Sequence, residues 1–529
     1  MEELARIALV GTARHTAAAT PDIDHPAEGL IAQLPAGDRE NLFLLRAGAR
    51  AAYEQCGRVG QTGIEPIAPA PSETRRIVPK RLAGLIQNAI ASSSWDLLVE
   101  FLGQLRAVDL VLSPELLPIA FQVSDATARE ALLPVVGERG AWLSRFNPQW
   151  AWVTEGANQL SSDDRQALEE QWNEGTIGQR CRVLRTLRKS DEDLARTWLE
   201  TVLDREAADH RVRLLETLSV RLAKEDETLL ESRLDDRSEN VRRQAAELLA
   251  RIPGSALATR MQERGEAMLS FEAGKVTCQP PEEIDKSWER DGVPRKVPTG
   301  QGKRAVWAEA VFALVPPGTW STKWAAAQAD LIEGVRDDNF SRPVLVGWTR
   351  AAAAFADSDP ESRAWLRPLW DYWRAFAGTD DKKLRIVTEP LQILLGRMPR
   401  EMAEEAFGDA LVAAAEAESA DLLGLLSILS RPWSAAFADA YLAAARDAIR
   451  RGTDNRAYQW ASSLSIAARA IPKARFPQTL EPWALPPVAE GGPSAGRWRD
   501  QAIARELEKF TETVSVRQSF FEGLDGEPA

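Results

Sequence analysis

The chain has 529 residues, of which 44% are hydrophobic and 27% charged, and its formal net charge is -13. This is the balance of a folded, soluble protein; so large an acidic excess disfavours unaided nucleic-acid binding or docking on an anionic membrane, since both need clustered Lys and Arg. Three cysteines (Cys56, Cys181 and Cys278) are too few for a disulfide framework or a cysteine-rich zinc site, and they fit a reducing cytoplasm.

The first residues, Met1-Glu2-Glu3, are acidic where a secretory signal would be basic. The longest strongly apolar run, 422–429, is far short of the roughly 20 residues of a spanning helix. The expectation is a cytoplasmic protein with no membrane partner. Residues 1–55 read as interrupted helix: Leu4, Ile7 and Ala8 form a short stripe, 11–26 is irregular, and 42–53 is a helix with Leu42, Leu45, Ala49 and Ala52 on one face. Pro66, Pro69, Pro71 and Pro79 make 57–79 a loop. Helices are expected at 82–91, 95–105, 114–121 and 127–137, with joins short enough for an array of αα-hairpins. Trp142, Trp150 and Trp152 then fall within eleven residues. They either line a ligand groove or pack a corner between hairpins; packing is favoured, because aromatic side chains are the largest burial contribution a chain has.

An internal repeat follows in 179–253. Cys181-Arg182, Val212-Arg213 and Val241-Arg242 each open an apolar run, at spacings of 31 and 29 residues, and Leu203-Asp204 recurs as Leu234-Asp235 after 31. A period near thirty with two helices per period marks an α-solenoid. In the third unit 227–234 is a first helix and 241–251 a second, with Val241, Ala245, Leu248 and Ile252 on one stripe, Asn240 as its cap and Pro253-Gly254 as its end. Leu234-Asp235 and Val241-Arg242-Arg243-Gln244-Ala245-Ala246-Glu247-Leu248-Leu249 resemble the HEAT-repeat family. The likeness is clear for this unit, fair for the Val212 unit and poor for the Cys181 unit. It implies that Asp204, Asp235, Arg213 and Arg242 form a structural ladder between repeats.

Residues 265–304 hold Pro280, Pro281, Pro294 and Pro298 with five glycines and little helical period, so they read as a linker or functional insertion. Helices return at 305–314, 324–335, 345–355, 365–377, 390–395, 402–417, 420–429 and 434–451; 482–496 is a loop, and 497–521 is a last amphipathic helix.

Chemistry is hard to find. His15, His25 and His210 have no metal-ligand spacing, although Asp22 and Asp24 lie near the first two. Gly492-Pro493-Ser494-Ala495-Gly496 matches Gly-x-Ser-x-Gly, but no strand precedes it and no His follows. Gly300-Gln301-Gly302-Lys303-Arg304 has the glycines and lysine of a phosphate loop, but Val297 stands where the first Walker glycine belongs. With Arg295 and Lys296 the segment better suits an anion or acidic peptide. Arg180, Arg182, Arg185, Arg188 and Lys189 are a second basic cluster, either holding an acidic partner or forming a solvated face. No pair of carboxylates stands out for acid–base work.

Three segments carry a wider resemblance: Gly137-Glu138-Arg139-Gly140-Ala141-Trp142-Leu143 with Asn147-Pro148-Gln149-Trp150; Trp288-Glu289-Arg290-Asp291-Gly292-Val293; and Gly302-Lys303-Arg304-Ala305-Val306-Trp307. They resemble an uncharacterised bacterial family of large helical proteins, a domain-of-unknown-function family encoded near MoxR-type AAA ATPases and von Willebrand factor A proteins. That implies protein partners of those two kinds.

The expected fold is all-α: an α-solenoid of HEAT-like helical hairpins interrupted by one long irregular insertion, with helical-repeat regions at 1–264 and 305–529 around 265–304. The expected function is a non-enzymatic scaffold or adaptor with no cofactor. The candidate partner-binding residues are Trp288, Asp291, Gly292, Lys303, Arg304, Trp307, Trp142 and Trp150. The alternatives are a helical-repeat enzyme acting on nucleic acid, of the HEAT-like glycosylase type, and a nucleotide-binding regulator using 300–304. The glycosylase would need a basic concave face with exposed tryptophans and a catalytic carboxylate.

Overall fold

Hydrophobic spacing of 3.6 residues and scarce β-branched runs dictate helices, and the computed structural model of the chain is all-α apart from two small strand pairings among the described residues. Described are residues 7–9, 11, 29, 33, 38–56, 67–157, 165–297, 300, 302–377, 381–416, 421–451, 455–484 and 494–526. His15, His25, and Gly492 with Pro493 of the serine motif lie outside them. Residues 1–70 and 71–529 are separate compact units. In the first, α1 (Arg39–Cys56) begins where the Asp38 carboxylate accepts from the Asn41 backbone N–H at 2.8 Å. Of its expected inner face, Leu42 and Ala49 are half-buried, whereas Leu45 and Ala52 are exposed and Ala47 and Ala51 are half-buried in their place.

The second unit opens with a module of α2 (Lys80–Ala91), α3 (Trp95–Ala107), α4 (Ala126–Leu132), α5 (Gly137–Ser144) and α6 (Ala151–Ala157), tied by a two-residue parallel pairing of β1 (Arg76–Ile77) with β2 (Leu110–Val111). Leu82, Ile86, Leu98, Phe101, Leu102 and Leu105 build its core, and Trp150 and Trp152 stand edge-on to Phe121.

The repeat region contains α7 (Arg165–Glu174), α8 (Ile177–Ser190), α9 (Glu192–Leu203), α10 (Ala208–Glu216), α11 (Glu227–Arg233), α12 (Glu239–Ala250) and α13 (Ala256–Met268). α8 packs on α10 and α10 on α12. The stripe Val241, Ala245, Leu248 and Ile252 is buried as its spacing predicts, each large aliphatic contributing about 1.5–3 kcal/mol. Asn240 is not the cap of α12: Ser238 holds that position without a side-chain bond, and Asn240 lies in the first turn.

Of the residues that the resemblance implied, Arg242 takes part in the ladder, and its other members are different. Arg211 donates to the Glu206 carbonyl at 2.6 Å and Asp236 at 2.8 Å, and Arg242 donates to the Asp236 carbonyl at 2.8 Å. Arg180, one period earlier, pairs with Glu206 at 2.6 Å. Asp204 pairs with Arg233, and Asp235 with Arg290; Arg213 is exposed. Arg188, read as part of a surface patch, is wholly buried against Asp226.

Residues 265–304 carry ordered elements. α13 runs through Gly265, and a hairpin of β3 (Leu269–Glu272) and β4 (Lys275–Cys278) turns on Ala273 and Gly274, both at positive φ as a two-residue type I′ turn requires. α14 (Lys286–Arg290) follows, started by Asp285, which accepts from the Ser287 N–H at 2.8 Å.

Beyond it come α15 (Lys303–Phe312), α16 (Gly318–Trp324), α17 (Gln328–Gly334), α18 (Ser341–Phe355), α19 (Leu366–Ala377), α20 (Asp381–Leu395), α21 (Arg400–Glu416), α22 (Ala435–Arg451), α23 (Asn455–Ala470) and α24 (Ser494–Asp525). α20 begins well before 390 and carries Pro390 inside it; 421–428 is a 3-10 segment rather than an α-helix. One core extends without a break from Leu168 to Val514. α24 then packs on both α23 and α2, so the last helix of the unit holds its first module. Between α6 and α7 the chain has only eight residue steps, a reach of at most about 29 Å. The array is therefore held at both sides of that module, by the chain and by α24.

Candidate functional site

Four helices, α12, α15, α18 and α20, each turn one stripe toward the same concavity. On α12 it is Arg243, Glu247, Ala250 and Arg251; on α15, Val306, Glu309, Ala310 and Ala313. On α18 it is Arg342, Val346 and Arg350; on α20, Ile386, Glu389, Pro390 and Ile393. Residues three, four and seven apart share a helix face, so these spacings put each set on one side. The concavity holds two hollows of about 420 and 560 Å³ that share Val306, Glu309 and Arg350. The floor is apolar, with Ala246, Ala310, Leu314, Ala354 and Phe355 in the first hollow. Small residues keep the floor low. Gly347 lies where α18 crosses α15, and a Cβ there would stand 2.6 Å from Phe312 Cβ and 3.0 Å from the Glu309 carbonyl oxygen. A Gly347→Ala chain gains at most about 1 kcal/mol of helix propensity. It loses about 1–3 kcal/mol to the overpacked crossing. Chemical denaturation is expected to show net destabilisation, and a stability equal to or above the parent's would contradict this packing.

Charge is interleaved with that floor. Arg350 donates to Glu309 at 2.5 Å and to Glu389 at 3.1 Å, and Arg397 stands 3.7 Å from Asp357. Glu247 is open to water yet walled by the hollow. Burial pushes its carboxyl above the usual range although Arg243, Arg350 and Arg251 pull it down. Burial also raises the Glu309 carboxyl, against Arg350 and with Glu389. The Arg251 guanidinium is held below its usual value, first by burial and then by Arg397. Among the described residues, no ion pair or side-chain hydrogen bond is made by Glu247 or Arg251.

The residues singled out in sequence fall in two places. Trp288, Asp291, Gly292 and Trp307 gather beside the first hollow. Asp291 is buried and accepts from Arg260 at 2.8 and 3.0 Å and pairs with Arg264 at 2.8 Å, and Arg264 lies 4.8 Å over the Trp288 ring. Gly292, at φ +87°, lines the hollow; a Cβ there would lie 3.0 Å from Ala246 Cβ. Trp307 is buried and donates its indole N–H to the Pro294 carbonyl at 3.1 Å. Arg304 donates to the Pro280 carbonyl at 2.9 Å and stacks over Phe340, whereas Lys303 is exposed at the start of α15. Trp142 and Trp150 are half-buried in the first module, and neither lines the hollows. The segment 265–304 thus gives the site a wall through Gly292, Pro294 and Gly302. Sequence reading missed Arg243, Glu247, Arg251, Arg350 and Arg397. The signal was the Arg-Glu-Arg spacing of four residues on the face of α12 away from its buried stripe.

The Cys278 thiol is buried and pushed up to about 12 by that burial, so it is no nucleophile. Among the described residues no group of three or more His, Cys, Asp and Glu side chains is placed to hold a metal ion, and no helix is long and apolar enough to cross a membrane. A family model described as "Family of unknown function (DUF5691)" matches residues 3–524. No curated protein and no solved structure matches the chain.

Proposed function

This chain belongs to that family of unknown function, and we propose that it is a non-enzymatic scaffold whose concave face, across α12, α15, α18 and α20, binds a protein partner. The observation that carries the reading is the pair of adjoining hollows with an apolar floor and a rim of charges, lined by four helices of the array. Repeat arrays use such extended concave surfaces for binding, because the small rotation per repeat turns one face of every unit inward. A groove of alternating apolar and charged stripes also matches the core-and-rim composition of protein interfaces. The partners we assign are a MoxR-type AAA ATPase or a von Willebrand factor A protein, the kinds of protein encoded beside the family that the chain resembles, and the compartment we assign is the cytoplasm.

A photo-crosslinking residue placed at Val306 or Ala313 in the native cell tests this. The expected result is capture of an AAA ATPase or von Willebrand A protein from the groove, and none from a control position at the exposed Phe146. Crosslinks from Phe146 alone would sink the groove as the binding face; capture of other proteins alone would sink the partner assignment.

The runner-up reading, a helical-repeat enzyme acting on nucleic acid, has one observation on its side: Glu247 in the hollow, with a raised carboxyl of the kind a general acid needs. Against it stands the absence of tryptophan from the lining of the hollows: Trp142, Trp150 and Trp152 are not among those residues, and Phe355 is the one aromatic residue there.

A further inference from the structure

We propose that the segment seated in the first hollow is acidic and apolar, with one of its carboxylates clamped between Arg251 and Arg397. The inference rests on the scaffold reading and names the chemistry of its partner.

Six other arginines of the chain that lose water on folding each meet a carboxylate. Arg188 and Arg196 share Asp226, Arg211 takes Asp236, Arg260 and Arg264 take Asp291, and Arg517 takes Glu100. Each of these guanidiniums loses water and gains a carboxylate in return. Arg251 loses water in the hollow and gains none. Its nearest charged neighbours are Arg397, which repels it, and Asp357 and Glu247, which lie beyond ion-pair distance. Arg397 is only loosely held, its one carboxylate being the exposed Asp357 at 3.7 Å.

The acids of the groove do not fill the gap. Glu309 and Glu389 are both committed to Arg350. Glu247 faces two arginines of its own helix, Arg243 and Arg251, one turn to either side. Within the first hollow the guanidiniums of Arg243, Arg251, Arg350 and Arg397 face three carboxylates, those of Glu247, Glu309 and Asp357. The local balance is positive in a chain whose net charge is -13. A planar guanidinium pair presents parallel N–H donors, which a carboxylate accepts in bidentate fashion. Beside the pair, Ala250, Leu314, Ala354 and Phe355 offer apolar surface to a neighbouring aliphatic side chain. Charge excess selects Asp or Glu, and the floor selects Leu, Ile or Val next to it.

The test is a selection of random 16-residue displayed peptides on the full chain, with parallel selections on Arg251→Glu and Arg251→Lys chains whose thermal melting matches the parent. The expected pool is enriched in Asp or Glu beside aliphatic residues. The strongest peptide is expected to bind Arg251→Glu at least tenfold more weakly, to keep most of its affinity for Arg251→Lys, and to be displaced by salt but not by millimolar inorganic phosphate. A pool without acidic bias, no enrichment at all, or affinity unmoved by Arg251→Glu would overturn the inference. Groove crosslinking to a partner that presents no acidic segment there would overturn it while leaving the scaffold reading intact.

Discussion

Replacing Asp226 by alanine is expected to cost the repeat region about 3–5 kcal/mol, because it strands a buried positive charge. Asp226 and Arg188 are both wholly buried. Arg188 gives its two terminal nitrogens to Asp226 at 3.0 and 2.7 Å, and also donates to the Val220 carbonyl at 2.9 Å and the Arg221 carbonyl at 2.5 Å. Arg196 adds a bond to the same carboxylate at 2.9 Å, and the Ala223 N–H adds another at 3.0 Å. The carboxylate thus joins α8, α9 and the turn before α11. Its own Coulombic gain is largely offset by desolvation, so the loss measured on truncation is mainly the cost of the orphaned guanidinium. That separates two outcomes. Asp226→Ala alone should lower the urea midpoint sharply and speed hydrogen exchange through 177–233. Joining it to Arg188→Met, which removes the stranded charge, should restore much of the loss. A single-variant loss below about 1 kcal/mol would show that water reaches the pair, contrary to its burial.

The same network shows what the sequence could and could not reveal. The buried stripe of the third repeat was legible, because Val241, Ala245, Leu248 and Ile252 must share a face at helical spacing and all four are buried, although the helix begins before the expected Asn240 cap. The ladder was not. Both Arg211 and Arg213 precede the same apolar run, and only the rotation of α10 against α12 decides which reaches Asp236; it is Arg211. The hairpin at 269–278 was overlooked although Leu269, Phe271, Val276 and Cys278 alternate around Ala273-Gly274; its four-residue strands fall among prolines and glycines that mimic a linker. Pro390 misled in the other direction. It removes one backbone donor, and packing of α20 against α18 and α19 carries the helix through it. The groove was illegible for a different reason. Its arginines and glutamates come from four helices and the turns that follow them, spread over 155 residue positions from Arg243 to Arg397, and single-sequence spacing relates only residues on one element. The family resemblance drew attention to Trp288, Asp291 and Trp307, which prove to brace the wall of that groove.

Arg517→Ala is expected to release the first module, α2 to α6, from the last helix and to leave the rest of the array folded. Arg517 is buried at the joint and donates to Glu100 of α3 at 2.8 and 2.5 Å. It also donates to the Ala468 and Ile471 carbonyls, each at 2.8 Å, at the end of α23. One guanidinium therefore links α24 to α3 and α23, and neither a smaller side chain nor an ammonium reproduces its four bonds in one plane. Removing it leaves two carbonyls and a half-enclosed carboxylate unpaired, a cost of about 2–5 kcal/mol. The remaining contacts include the Phe101–Phe520 stack at 3.9 Å, Leu82 against Gly523, Val516 and Leu524 against the module's core, and Asp96 with Arg469 at 2.6 Å and Arg431 at 3.4 Å. They are apolar or exposed and lack directionality of their own, so the joint is expected to open while the module keeps the part of its core built by its own helices, losing Phe520. Hydrogen exchange should then rise in α2, α3 and 514–525, with 177–471 still protected, and small-angle scattering should report a larger radius of gyration. Arg517→Lys should rescue little of this, because an ammonium cannot span α3 and α23 together. Protection unchanged in α3, or lost uniformly along the chain, would refute the joint: the first result would mean that Phe101 and Phe520 hold the module alone, the second that module and array fold as one cooperative unit.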